Sequence, residues 1–267
     1  MRYKGIWLIT LLTMLLFFGY TSSLFGWGFS DRDRETVNLQ TFLISDFGDE
    51  KDQTNNLVWK ARFSRFAKPS NIMDPGSPVD PEACNSAYFA GKPLGIPEEM
   101  EQRQKWVLGV KAQYVRKGYN YVEIIPYHLA RAGVDANGKP SNVGDVKETN
   151  VSLVGVVKSL DMWLWGGNYN YWLEFYLRDY KGFLHRVPAG DIKFVGWKNL
   201  RTTVPSYIPQ AQNHVPFLKP LKLEMIKLWS HPEERVDQFY VYLDYLQVQT
   251  DVYLERFNGD DLANNRW

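Results

Sequence analysis

Few residues in this chain of 267 have the types and spacing that catalysis demands. The histidines His128, His185, His214 and His231 stand far apart, and none has a partner at metal-ligand spacing. The lone cysteine, Cys84, cannot form an internal disulfide. A nucleophilic thiol would need a basic neighbour, and none is visible in the sequence. Cys84 falls in a proline-rich stretch, so it is expected to be dispensable for folding. There is no G-x-S-x-G elbow, Walker loop or G-x-G-x-x-G turn. Asp161, Glu174 and Asp244 fall on expected strands, and glycoside hydrolysis needs two acids across a cleft. No acid/base pair can be picked out among them, and all three are expected on solvated faces. Asp46, Asp49, Glu50 and Asp52 cluster early and Asp260 and Asp261 late, without a calcium-loop pattern. The expectation is a non-enzyme with no catalytic residue, no cofactor and no metal.

The aromatic residues carry more information, with 10 Trp, 16 Tyr and 15 Phe. Leu160, Met162 and Leu164 alternate with Asp161, Trp163 and Trp165. Leu173, Phe175 and Leu177 alternate with Trp172, Glu174, Tyr176 and Arg178. Period-two geometry sends each set to one side of its strand. The Gly166-Gly167-Asn168 turn reads as a hairpin joining the two strands. Trp163, Trp165, Trp172 and Tyr176 would then share one platform, with Arg178 beside them. Tyr240 and Tyr242 form a similar set opposite Phe239, Val241 and Leu243. These seven residues are the candidate partner-binding group. Trp, Tyr and Arg dominate protein interfaces, and flat aromatic faces also suit sugar rings.

Strands are needed to position such a surface. Segments 37–48, 57–66, 106–115, 120–127, 150–165, 170–180, 221–229 and 238–257 read as strands, with a break near Gly155. Asp179-Tyr180-Lys181-Gly182 reads as a turn, and 196–210 as a loop. Residues 98–105 read as a helical turn. Prolines 69, 75, 78, 81, 93 and 97 punctuate 67–97, which reads as a long surface loop inserted between strands. Short strands with regular turn signals predict an all-β sandwich. No linker divides the strands, so 27–267 is expected to be one domain.

At the amino terminus, Arg2 and Lys4 precede an apolar run from Ile6 to Tyr20 and small residues after it. This reads as a signal peptide over 1–26, cleaved within 23–28. A membrane span needs about 20 apolar residues, so no membrane association is expected after cleavage. Lys+Arg 31 against Asp+Glu 30 argues against nucleic acid. The mature chain is expected to be exported, either periplasmic or secreted.

KSLDMWLWGGNYNYWLEFYLRDYKGFLHRVPAGDIKFVGWKNL (158–200), VPSYIPQ (204–210) and LWSHPEERVDQFYVYLDYLQVQTDVYLERFNGDDL (228–262) together resemble the spirochaete flagellar filament outer-layer (sheath) protein family, FlaA. ISDFGDE and GYNYVEIIPY are compatible with it. The resemblance implies a jelly-roll-like β-sandwich of the galactose-binding or carbohydrate-binding-module kind, without enzymatic activity. It implies export to the periplasm and a place in the sheath of the periplasmic flagellum. There it would coat the flagellin core beside other sheath proteins and like copies, and contribute to curvature, stiffness and motility. A periplasmic carbohydrate-binding module is the alternative, and a glycan is accordingly a further candidate partner.

Overall fold

The computed structural model describes residues 38–48, 57–74, 76–94, 96, 106–128, 147–210 and 220–252. The expected signal peptide, the 98–105 turn, His214, and the acids Asp49, Glu50, Asp52, Asp260 and Asp261 lie outside them. The described residues form strands and no helix. In chain order these are β1 (Leu39–Ser45), β2 (Leu57–Phe63), β3 (Asn85–Ala90), β4 (Trp106–Ala112) and β5 (Tyr121–His128). Then come β6 (Lys147–Glu148), β7 (Val151–Ser152), β8 (Val156–Gly167), β9 (Tyr171–Arg178) and β10 (Leu184–Asp191). The last are β11 (Val195–Thr203), β12 (Lys222–Ser230) and β13 (Phe239–Asp251).

Two antiparallel sheets face each other, as a β-sandwich requires. The first runs β11-β8-β13-β4-β3, with β1 also paired to β13. The second runs β10-β9-β12-β5-β2, with β6 on β5 and β7 on β12. We call them the β8 sheet and the β9 sheet. Their inner faces carry the residues whose alternation marked them as core. Leu160, Met162 and Leu164 from one sheet and Leu173, Phe175 and Leu177 from the other are fully buried. At one end of this core the rings of Tyr171 and Phe239 stack at 4.0 Å.

The expected β8–β9 hairpin does not form. β8 and β9 lie in different sheets. The chain leaves Gly167, takes Asn168 through φ 59, and buries Tyr169 as it crosses. The Tyr169 ring packs edge-on against Phe239 at 5.2 Å. A hairpin turn would leave that ring in water, so burial draws the chain through an arch between the sheets. The hairpin is instead β9–β10, closed by the Asp179–Gly182 turn. Asp179 accepts from the backbone N–H of Lys181 and of Phe183, and lies 2.8 Å from His185 Nε2. A second crossing, from β10 to β11, returns the chain to pair with β8.

Two loop expectations are also corrected. GWKNL (196–200) lies inside β11. The segment 67–97 contains β3, whose residues Asn85–Ala90 fall between Pro81 and Pro93 and are free of proline. β3 pairs with β4 from Asn85↔Lys111 to Ala90↔Trp106.

Cys84, just before β3, is buried and not at the surface. Its Sγ accepts from the Gln113 N–H at 3.3 Å and donates to the Gln113 carbonyl at 3.2 Å. Burial pushes the thiol upward, which keeps it neutral and unreactive. Cys84→Ser should therefore cost about 1–2 kcal/mol, above the ~0.5 kcal/mol of a surface change. Urea melts of the two proteins check this.

The break near Gly155 is present, between β7 and β8. Gly155 has φ 70, and a Cβ there would collide with the Asp251 carbonyl oxygen. Backbone strain and a backbone clash act together. Gly155→Ala should lower stability by about 3 kcal/mol, read as a fall in the urea midpoint at constant slope.

Candidate functional site: two aromatic faces

Because β8 and β9 separate, the seven candidate residues separate too. Trp163, Trp165, Tyr240 and Tyr242 lie on the outer face of the β8 sheet. Trp172, Tyr176 and Arg178 lie on the outer face of the β9 sheet, across the sandwich. A shared platform is thus replaced by two unlike ones.

On the β8 sheet, strand register sets the residues in rows. Trp197↔Trp165, Trp165↔Tyr242, Tyr242↔Gly109 and Gly109↔Ala87 are directly opposed pairs. Opposed residues share a face, so one row crosses five strands. Trp165 stacks on Tyr240 with centroids 5.6 Å apart and meets Tyr242 edge-on at 5.6 Å. Phe89, itself 48% exposed, stands edge-on to Tyr242 at 5.8 Å. Gly109 is the gap in the row. A Cβ there would sit 2.5 Å from Phe89 and 2.9 Å from Tyr242. The absence of a side chain lets both rings lie low over β4. Beside them opens a groove of about 550 Å³, between β3, β4 and the start of β13. Phe89, Gly109 and Trp197 are not among the seven residues that period-two alternation marks out. The register, once known, is the signal that finds them.

On the β9 sheet, the aromatics cover acids. Glu174 is only 3% exposed. It accepts from Trp172 Nε1 at 2.9 Å, Trp229 Nε1 at 3.0 Å and the Tyr176 hydroxyl at 3.1 Å. Arg186 Nε lies 3.7 Å away. Trp172 and Trp229 stack at 6.2 Å, and Tyr121 meets Trp229 at 5.0 Å. Lys227 donates to Glu123 at 2.8 Å and lies 3.7 Å from the centre of the Tyr121 ring. Burial pulls the Glu123 carboxyl upward, but hydrogen bonds from Lys227 and Arg62 outweigh it and hold it below its ordinary range. Arg178 is tied to Glu224 at 2.6 Å and to the Gly182 carbonyl at 2.8 Å. Arg62 and Arg186 reach solvent.

The three strand carboxylates are not on wet faces. Asp161, Glu174 and Asp244 are all buried. Asp161 accepts from Gln247 at 2.6 Å and Asn199 at 3.3 Å. Glu174 lies on the opposite sheet from the other two, so it cannot work with them across one cleft. Among the described residues no group of three or more His, Cys, Asp or Glu is placed to hold a metal. No helix among them is long and apolar enough to cross a membrane.

Fold and faces together define a β-sandwich with aromatic surfaces on both outer sides. The profile of the flagellar filament outer layer protein FlaA matches residues 85–257, and the chain belongs to that family. The match begins at the first residue of β3. A relative described as a putative flagellar filament outer layer-like protein, from Brachyspira hyodysenteriae, is 27% identical over 198 residues, 74% of this chain and 82% of its own. Among solved structures, a carbohydrate-binding module of the β-sandwich superfamily is 10% identical, with TM-score 0.41. That likeness covers 76% of this chain and 60% of the other. The family 11 carbohydrate-binding module of the Clostridium thermocellum cellulase Lic26A-Cel5E is also 10% identical, with TM-score 0.40, over 79% of this chain and 95% of its own. These are likenesses of overall fold at low identity. The family associates the chain with the flagellar filament, and it is a family of structural proteins.

Proposed function

We propose that this chain is a sheath subunit of a periplasmic flagellar filament, laid on the flagellin core and contributing to its curvature and stiffness. The observation that carries the reading is the five-strand row of Trp197, Trp165, Tyr242, Gly109 and Ala87, with Tyr240 and Phe89 beside it. A subunit in a layer must hold the core and its neighbours at once. Two unlike faces on opposite sides of one sandwich meet that need. Heterologous contacts propagate along a filament, whereas a single self-complementary face closes into a dimer. The β8 face is assigned to the core, and the β9 face, with its solvent-reaching arginines, to a neighbouring sheath subunit. Such work requires no catalytic group. The signal peptide expected over 1–26 would deliver it to such an assembly.

The test is Trp165→Ala. Trp165 is half-buried among Tyr240, Tyr242 and Trp197. Truncation of a fully buried aromatic costs about 3–5 kcal/mol of folding stability, so about half that is expected here. Truncation of an interface anchor costs about 2 kcal/mol or more, roughly thirtyfold in affinity. The variant should fold and yet be largely lost from filaments in co-sedimentation. Full incorporation of a folded Trp165→Ala protein would refute the assignment of this face.

A further inference from the structure

We infer that the groove between β3, β4 and the start of β13 is a binding site for a neutral oligosaccharide. The inference deepens the reading above, resting on it only for the β8 face as the partner surface. The groove, at about 550 Å³, lies within the range of sites that hold small ligands. Its platform is Phe89 and Tyr242, set edge to face at 5.8 Å over the bare backbone of Gly109. Any larger residue at 109 would push those rings outward and fill the groove, so the missing side chain creates the space.

The remaining lining chooses the ligand class. Asn85 and Gln238 bring planar amides, each with donors and an acceptor. Asp237 and Lys111 bring one charge of each sign, so the groove has no net charge to attract an anion or a cation. A lipid or an apolar peptide side chain would leave these polar groups desolvated without partners, which is unfavourable. A pyranose ring suits both halves of the site. One face of the ring is a patch of C–H groups that packs on an aromatic ring, while its hydroxyls project sideways to amide and carboxylate. Tyr240 and Trp165, stacked beside the groove, extend the aromatic surface toward β8 for a chain longer than one ring.

The sugar could be carried on the filament core or come from another source, and the experiment separates the two. Purified protein is applied to an array of neutral and charged oligosaccharides, and the strongest array ligand is titrated calorimetrically. Retention on neutral members is expected. Phe89→Ala and Tyr242→Ala should each weaken binding at least tenfold, and Gly109→Val should abolish it. Phe89 is half exposed, so its variant stays informative even if Gly109→Val fails to fold. No retention of the wild type, or binding within twofold of it by both folded aromatic variants, overturns the inference. Preference for charged members overturns it as well. Filament cores with and without enzymatic deglycosylation are then compared in co-sedimentation. Loss of the wild type on treated cores supports a core-borne sugar. Unchanged co-sedimentation alongside array binding supports a sugar from elsewhere. If the protein coats filaments but binds no sugar, the glycan site falls and the sheath reading stands. If it binds sugar but does not coat filaments, the sheath reading falls and the glycan site stands.

Discussion

Glu174→Ala is expected to destabilise the sandwich by about 3 kcal/mol, although Glu174 sits on the outer face of a sheet. Its carboxylate is the common acceptor for two indole N–H groups and one phenol, from Trp172, Trp229 and Tyr176. Those donors come from two neighbouring strands, since Trp229 on β12 is paired with Trp172 on β9. Alanine removes the acceptor and leaves three partly buried donors without one, at about 1 kcal/mol each. Arg186 loses its partner too, but it is mostly exposed and returns to water. Glu174→Gln separates hydrogen bonding from packing. The amide keeps one acceptor oxygen, which can serve Trp229 and Tyr176, but turns an NH₂ toward Trp172. It should lie between wild type and alanine. Urea melts give the order, and tryptophan emission gives an independent readout. Trp172 and Trp229 should shift to the red in Glu174→Ala as water reaches their N–H groups. Equal stability of all three proteins would show that the aromatics hold themselves in place without the acid.

The strands were legible because their signal is local. Leu160, Met162 and Leu164 against Trp163 and Trp165 is a pattern that period-two geometry alone explains, and those leucines and that methionine are core. The Gly155 break was legible for the same reason. The partners of each strand were not legible. Gly166-Gly167-Asn168 has the composition of a tight turn whether the chain folds back beside itself or crosses to another sheet. Tyr169 decides the matter, and its preference is for a cavity that exists only after β13 has delivered Phe239. That contact is distant in sequence. The same limit explains the carboxylates. Asp161, Glu174 and Asp244 alternate with apolar residues as solvent-facing acids would. Asp161 is covered by Gln247 and Asn199, and Glu174 by Trp229, and these partners arrive from other strands. Gly109 is the clearest case. A glycine inside a strand signals a close approach, but the rings that approach it come from β3 and β13. β3 itself was hidden by the prolines around it, since their density describes the segment and not the six residues of β3, which lie between Pro81 and Pro93.

The protein is expected to lose stability as pH rises from about 4 to about 8, because of Asp244. Its side chain is 0% exposed, on β13 where the register with β8 breaks between Asp244 and Gln247. Burial pushes its carboxyl up to about 8, the Tyr245 backbone N–H pulls the other way, and nearby Asp46 adds to the rise. In the unfolded chain the same group titrates near 3.8. Below that pH both states hold the proton, and Asp244 does not oppose folding. Between the two values the unfolded chain has released the proton while the folded chain retains it. Each pH unit in that window then weakens folding by about 1.4 kcal/mol, and above about 8 the loss levels off. The full penalty would be several kcal/mol, and relaxation around the site would reduce it. Asp244→Asn tests this directly. The amide has nearly the shape of the protonated acid and can still accept from Tyr245. It should match wild type near pH 4 and exceed it by about 2 kcal/mol or more at pH 8. The quantity to follow is the difference between the two proteins, from which the contributions of all other groups cancel. Urea melts at half-unit steps from pH 4 to 9 give it. A difference that stays constant across that range would mean that Asp244 has the same proton affinity folded and unfolded, and that the break in β13 leaves it in contact with water.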